Sequence, residues 1–95
     1  MDSIHLEIRG RVQGIGFRWF VRETARALDL SGWVSNKANG NVELAAAGDA
    51  TALKKFAAAV GKGPPGAQVE EVRALSAIDG ASLPKPFGIV HLQRL

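Results

Sequence analysis

The chain has 95 residues, the length of one domain, and 46% of them are hydrophobic against 22% that are charged, as in an ordinary globular protein. The absence of cysteine excludes disulfides, thiolate metal sites and a cysteine nucleophile. A net charge of +3 is compatible with nucleic-acid binding, but arginines gather near the first strand–helix junction and lysines on a second helix, which is not a binding stripe.

The first predicted elements are a strand and a helix joined by a glycine-rich turn. Residues 4–9 alternate between apolar and polar, which predicts a half-buried strand. From residue 17 to about residue 28 the apolar side chains recur on one helical face. In the turn between them, Gly14 and Gly16 permit positive φ angles and close backbone approach.

This turn is predicted to bind an oxyanion. Such a turn can direct successive N–H groups into a concavity, and the N-terminus of the following helix adds a partial positive charge. Arg18, in the first helical turn, adds a planar cationic donor group suited to phosphate. The backbone N–H groups are assigned to the five residues before Arg18, with little importance given to their side chains: Gln13, Gly14, Ile15, Gly16 and Phe17.

The chain after the first helix is predicted to form a hairpin, a second helix and two further strands. Residues 33–36 and 42–46 are predicted strands joined by an Asn-Gly turn, and Phe20 and Trp33 are assigned to the core. A second helix has Asp49 as its N-cap and ends at Gly61. Val69 and Val72, three apart, predict a fourth strand with a bulge. A loop over residues 78–86 and a last strand over residues 87–92 follow.

The order βαββαβ, followed by a terminal strand, predicts a ferredoxin-like α+β sandwich. Two helices would cover one face of a mostly antiparallel sheet, and residues 1–95 would form a single domain. In this fold the first two strands are parallel with the third between them, so their C-terminal ends share one sheet edge. The turn before Arg18 follows strand one and Asn36 ends strand two. Two strand spacings, about 10 Å, leave room between them for a phosphoryl group and a water.

Two stretches of the chain resemble the signature segments of the acylphosphatase family. The first is Gly-Arg-Val-Gln-Gly-Ile-Gly-Phe-Arg at residues 10–18. The second combines Gly-Trp-Val-Ser-Asn at residues 32–36 with Asn-Gly-Asn-Val-Glu at residues 39–43. The similarity extends from Ile4 to about Leu92 and includes a Pro-Gly loop at residues 64–66.

The resemblance implies a hydrolase of acid anhydrides that converts an acyl phosphate to a carboxylate and inorganic phosphate. It implies that Arg18 binds the phosphate and that Asn36 orients the attacking water, with no metal, cofactor or covalent intermediate. The leaving group is a stable carboxylate that needs no general acid, and a loose transition state asks mainly for positioning and charge stabilisation. The absence of a histidine near the turn suits this chemistry.

A non-catalytic anion- or RNA-binding module of the same fold is the alternative. RNA-binding sheets present aromatic rings on central strands, whereas strand one presents His5, Glu7 and Arg9. His5 and His91 lie on different predicted strands, and no metal site is expected. We expect a small acyl phosphate as substrate, no nucleic-acid or membrane partner, a monomer and a cytoplasmic location. The location follows by elimination, since no signal segment and no apolar run of about 20 residues is visible.

Overall fold

A computed structural model of the chain describes residues 2–91. Its elements follow the predicted order, with a short strand at the end. The strands are β1 (Asp2–Arg11), β2 (Ser31–Asn36), β3 (Val42–Gly48), β4 (Gln68–Ala74) and β5 (Gly88–Ile89), and the helices are α1 (Phe17–Ala27) and α2 (Ala50–Lys62). A single 3₁₀ turn at Gly80–Ser82 interrupts the loop predicted over residues 78–86.

The five strands form one mixed sheet in the order β4-β1-β3-β2-β5. β3 is antiparallel to both β1 and β2, so β1 and β2 are parallel to each other with β3 between them. β5 adds to the sheet parallel to β2. The predicted ferredoxin-like α+β fold is confirmed. The loop after β1 and the end of β2 therefore lie on the same edge of the sheet.

The core lies between the two helices and one face of the sheet. The register pairs Leu6 of β1 and Val34 of β2 with Leu44 of β3, and all three side chains are buried. The helices close this layer with buried residues spaced along one face of each, namely Phe17, Val21 and Ala25 of α1 and Leu53, Phe56 and Val60 of α2.

The opposite sheet face carries polar side chains that are nevertheless buried. Glu7 and Glu43 are only 5% and 6% exposed, and Nε2 of His5 lies 2.7 Å from Oε2 of Glu43. Trp33 packs edge-to-face against His5 on this side, so its assignment to the core is wrong. Because Val34 faces the core, the alternation of side chains along β2 turns Trp33 the other way. Phe20, in contrast, packs against the core as predicted.

The end of α2 differs from the prediction. The helix continues past Gly61 to Lys62, and Gly63, with φ of 75°, is the C-cap whose N–H donates to the carbonyl of Ala59. Gly63, and not Gly61, therefore supplies the positive φ with which the chain leaves the helix.

The predicted bulge in β4 is present, and the last strand differs from the prediction in length. Arg9 pairs with Glu71 while Gly10 pairs with Val69, so Glu70 is the extra residue of the predicted bulge in β4. The last strand is shorter than predicted, Gly88–Ile89. Phe87, its predicted first residue, precedes it and is buried in the core with its ring against Phe56. Leu92, its predicted end, lies outside the described residues.

The two glycines at the end of α2 provide a test of this assignment. Gly61 has helical surroundings, and an added Cβ would come no closer than 4.0 Å to Val72. We therefore expect Gly61→Ala to raise the free energy of unfolding by about 0.5–1 kcal/mol. Gly63→Ala is the matched control and should lower it by about 1–2 kcal/mol, since its positive φ is unfavourable for alanine. Urea denaturation measures both, and a loss of stability in Gly61→Ala would contradict the assignment.

Candidate active site

The turn between β1 and α1 has the backbone geometry of an anion nest. Gly14 and Gly16 have φ angles of 77° and 79°, while Gln13 and Ile15 are not among the residues with positive φ. Alternation of this kind brings successive N–H groups to one side of the chain. A Cβ at either glycine would meet nothing within 4 Å. Glycine is therefore favoured here by the left-handed conformation rather than by lack of space.

The N–H groups of this turn are available for a ligand. Within residues 2–91, no backbone N–H from Gln13 to Arg18 donates to a protein acceptor. Helix α1 begins after Gly16 with no side-chain cap and no acidic residue in its first turn. The positive end of the helix dipole and several unpaired donors therefore coincide at one point, which is the arrangement that binds anions.

Arg18 and Asn36 line the same cavity, which has a volume of about 160 Å³. Arg18 makes no ion pair or hydrogen bond with any residue in the described part of the chain. Asn36 pairs with Val42 at the end of β2 and lies on the helix side of the sheet, as Val34 does. The cavity is completed by residues from the turn, from α1 and from β5: Val12, Gly14, Gly16, Phe17, Trp19 and Ile89.

The side-chain oxygen of Asn36 is a buried acceptor without a partner. Among residues 2–91, nothing donates a hydrogen bond to Oδ1 of Asn36. Buried polar atoms are nearly always paired with protein or with ordered water. Asn36 itself lines the cavity, so its amide group combines access to the cavity with an acceptor that no group of residues 2–91 satisfies.

Two of the predicted site residues do not line this cavity. The side chain of Ile15 packs against the hydrophobic core. The amide group of Gln13 turns away and donates hydrogen bonds of 2.9 Å to the carbonyl oxygens of both Lys37 and Asn41. Only the backbone N–H groups of these two residues remain candidates for anion binding.

The family comparison agrees with this geometry. The model of the acylphosphatase family matches residues 4–85. The chain belongs to the acylphosphatase family. The predicted family is confirmed, and a non-catalytic anion- or RNA-binding module is not favoured.

Individual relatives and solved structures support the same family. The chain is 49% identical to an acylphosphatase of Salinibacter ruber over 69 residues, which are 73% of each chain. The crystal structure of acylphosphatase from Bacillus subtilis superposes with a TM-score of 0.85 at 36% identity, covering 93% of this chain and 97% of that one. An acylphosphatase structure from Coxiella burnetii gives 0.79 at 34% identity, covering 93% and 90%.

Residues 2–91 contain no group of three or more His, Asp or Glu side chains that could hold a metal ion. In the same part of the chain, neither helix has the length and apolar character needed to cross a bilayer.

Glu7 holds the turn that follows Asn36 from the far side of the sheet. Its carboxylate accepts a 2.6 Å hydrogen bond from Nδ2 of Asn41 and a 3.1 Å bond from Arg73. Longer contacts of 3.4 Å come from Lys37 and Asn39. The alternation of residues 4–9 predicts only that Glu7 lies on the polar face of the strand. The residues that bury the Glu7 carboxylate are distant from it in sequence, and no local sequence pattern indicates these contacts.

The same contacts lower the pKa of the Glu7 carboxyl. The hydrogen bond from Asn41 has the largest effect, and Arg73, Asn39 and Lys37 act in the same direction. Burial opposes them, but the pKa still falls from 4.5 to about 2. The ionised form is therefore the one that the folded protein stabilises.

We expect Glu7 to contribute to stability in a pH-dependent way. Because its folded pKa is depressed, the contribution is fully present above pH 4.5 and is lost as the pH falls towards about 2. Glu7→Gln should therefore be less stable than the wild type at neutral pH, and the difference should shrink between pH 4.5 and 2. Urea denaturation at several pH values measures this.

Glu70→Gln is the matched control for that experiment. Glu70 forms an ion pair with Arg9 in which both side chains are about half exposed, and such pairs contribute little. The stability of Glu70→Gln should therefore equal that of the wild type at every pH. If Glu7→Gln also matched the wild type at every pH, the turn after Asn36 would not depend on the Glu7 carboxylate.

Proposed function

We propose that this acylphosphatase-family protein hydrolyses acyl phosphates to a carboxylate and inorganic phosphate in the cavity of Arg18 and Asn36. Acylphosphatases are hydrolases that act on acid anhydrides, and the family assignment makes this chain one of them. The observation that carries the proposal is that Arg18 and Asn36 line one cavity beside an uncapped helix N-terminus, and that within residues 2–91 neither the guanidinium nor the amide oxygen has a hydrogen-bond partner.

In this proposal the phosphoryl group binds to the backbone N–H groups of residues 13–18 and to the guanidinium of Arg18. Phosphoryl transfer spreads negative charge over the equatorial oxygens in the transition state. Fixed N–H dipoles and a cation stabilise that charge without reorganising during the reaction. No carboxylate of residues 2–91 lies in an ion pair with Arg18, so its charge is available to the substrate.

Asn36 would orient the nucleophilic water. Its Oδ1, to which no group of residues 2–91 donates, would accept a hydrogen bond from the water, so that a lone pair of the water oxygen faces phosphorus. No group needs to protonate the leaving group, because a carboxylate is stable as an anion near neutral pH. This agrees with a described cavity wall that includes no histidine or carboxylate.

Several further properties are proposed from the sequence alone. The protein would be a single domain over residues 1–95, a monomer in the cytoplasm, with a small acyl phosphate as substrate. It would need no metal and would have no nucleic-acid partner. The direct test is hydrolysis of acetyl phosphate by the purified protein with and without EDTA, and failure of the metal-free enzyme to act would overturn the metal-independent mechanism.

We expect Arg18→Lys to lose most activity although it keeps the positive charge. Lysine cannot make the bidentate contact that a guanidinium makes with phosphate. Inorganic phosphate should raise the melting temperature of the wild type by binding the native state, and it should raise that of Arg18→Lys much less. Differential scanning fluorimetry with kinetics measures both effects.

Arg22→Lys is the matched control on the same helix. Arg22 pairs with Glu23 and does not line the cavity, so activity and the phosphate response should both be retained. Activity of Arg18→Lys within a few-fold of the wild type would remove Arg18 from the phosphate site.

We expect Asn36→Ala to separate catalysis from binding. Water orientation matters as the reaction proceeds, so kcat should fall by about 10²–10³ while phosphate affinity stays near the wild-type value. The variant should be at least as stable as the wild type, because it removes a buried acceptor that has no protein partner. Steady-state kinetics, phosphate titration calorimetry and thermal unfolding measure these three quantities.

Gln68→Ala is a suitable control, since it removes an exposed amide on β4 outside the cavity. It should change neither kcat, nor phosphate affinity, nor stability. Loss of phosphate binding in Asn36→Ala, with kcat largely kept, would contradict the water-orienting role.

A further inference from the structure

Trp19 is a large apolar side chain that the fold leaves in water. It is 58% exposed, although tryptophan is on average well buried in folded proteins. The buried stripe of α1 consists of Phe17, Val21 and Ala25, and Trp19 lies outside it. Within residues 2–91 its ring stacks on no other aromatic ring. Core packing therefore does not explain this residue.

The position of Trp19 relates it to the proposed substrate. It follows Arg18 directly and lines the same cavity. Val12 and Phe17, which also line the cavity, are each only 1% exposed and can offer a ligand little surface. Trp19 and the partly buried Ile89 are therefore the apolar side chains that a ligand leaving the phosphate site would meet.

The charges around the cavity narrow the kind of acyl group that fits. Arg18 is the one cationic side chain among its described lining residues, and the proposed phosphate contact uses it. A second carboxylate on the acyl group would find no cation on this wall. An aromatic ring, in contrast, could stack on the exposed indole and remove apolar surface from water.

We propose that Trp19 is a specificity-determining residue that contacts the acyl group and favours aromatic acyl phosphates over short aliphatic ones. This rests on the acyl phosphate hydrolysis proposed above. Phosphate recognition by residues 13–18 is common to all such substrates, so discrimination has to arise where the acyl group lies. Trp19 is the residue at the cavity with the largest exposed aromatic surface.

The test compares kcat/KM for benzoyl phosphate and acetyl phosphate. The two substrates differ in intrinsic reactivity, but that difference cancels when the benzoyl-to-acetyl ratio is compared between wild type and variant. Trp19→Ala should lower the ratio about tenfold, the effect of losing one aromatic contact. Trp19→Phe keeps an aromatic face and should retain most of the ratio.

Val72→Ala is the matched control for removal of exposed apolar surface. Val72 is 41% exposed and lies on β4 away from the cavity, so the ratio should stay at the wild-type value. A ratio unchanged in Trp19→Ala would overturn the specificity proposal alone. Failure of the wild type to hydrolyse either substrate would instead overturn the proposed function.

A binding experiment tests the contact itself. The chain has two tryptophans, so Trp33→Phe leaves Trp19 as the only indole fluorophore. In that variant, benzoate added in the presence of phosphate should change the emission more than acetate at equal concentration. Equal and negligible changes for benzoate and acetate would show that the indole does not contact the acyl group.

Discussion

The candidate site depends on one topological constraint, the insertion of β3 between β1 and β2. Both neighbours are antiparallel to β3, so both run in the same direction and end at the same edge of the sheet. The turn that precedes Arg18 leaves one of these ends, and Asn36 stands at the other. Arg18 and Asn36 are separated in sequence by nearly all of α1 and by β2. The backbone hydrogen bonds of the sheet, which are difficult to distort, hold them at one cavity.

Side chains then fix the two ends relative to each other. The side chain of Gln13 reaches from the glycine-rich turn after β1 and donates to the carbonyl oxygens of Lys37 and Asn41. From the other face of the sheet, Glu7 accepts the 2.6 Å hydrogen bond of the Asn41 side chain. Gln13 therefore holds the backbone carbonyl of Asn41, and Glu7 holds its side-chain amide. The turn after Asn36 cannot move without breaking contacts to both, which is the support that a positioned water requires.

The sequence predicts the parts of this arrangement that depend on local pattern. Alternation in β1, helical periodicity in α1 and the glycines at 14 and 16 indicate a candidate anion site, and the order of the elements places Asn36 at the same edge of the sheet. The role of Asn36 in orienting water comes from the family resemblance and not from this pattern. The burial of Glu7 and the side-chain contacts of Gln13 are not predictable in this way. Their partners lie between 24 and 66 residues away, so only the assembled sheet brings them together.

Trp33 illustrates a second limit. Alternation in a strand defines two faces, but it does not say which face a helix will cover. The apolar character of Trp33 therefore predicts a core position, whereas the assembled sheet pairs this residue with Ala45 and places its ring beside His5. The face that lacks helices is covered by polar side chains of neighbouring strands and turns, which hydropathy alone does not identify as covering groups.

The two helices show how this fold divides stability and function. α2 begins at Asp49, whose carboxylate accepts hydrogen bonds from the N–H groups of Thr51 and Ala52. α1 begins at Gly16 without any side-chain cap. An N-cap side chain typically contributes about 1 kcal/mol to stability. Without a ligand, α1 lacks this contribution. A bound phosphoryl group would supply the missing acceptor, and the negative charge developing during its transfer would strengthen the same contacts. The proposed phosphate site thus coincides with a helix start that no side chain of residues 2–91 caps.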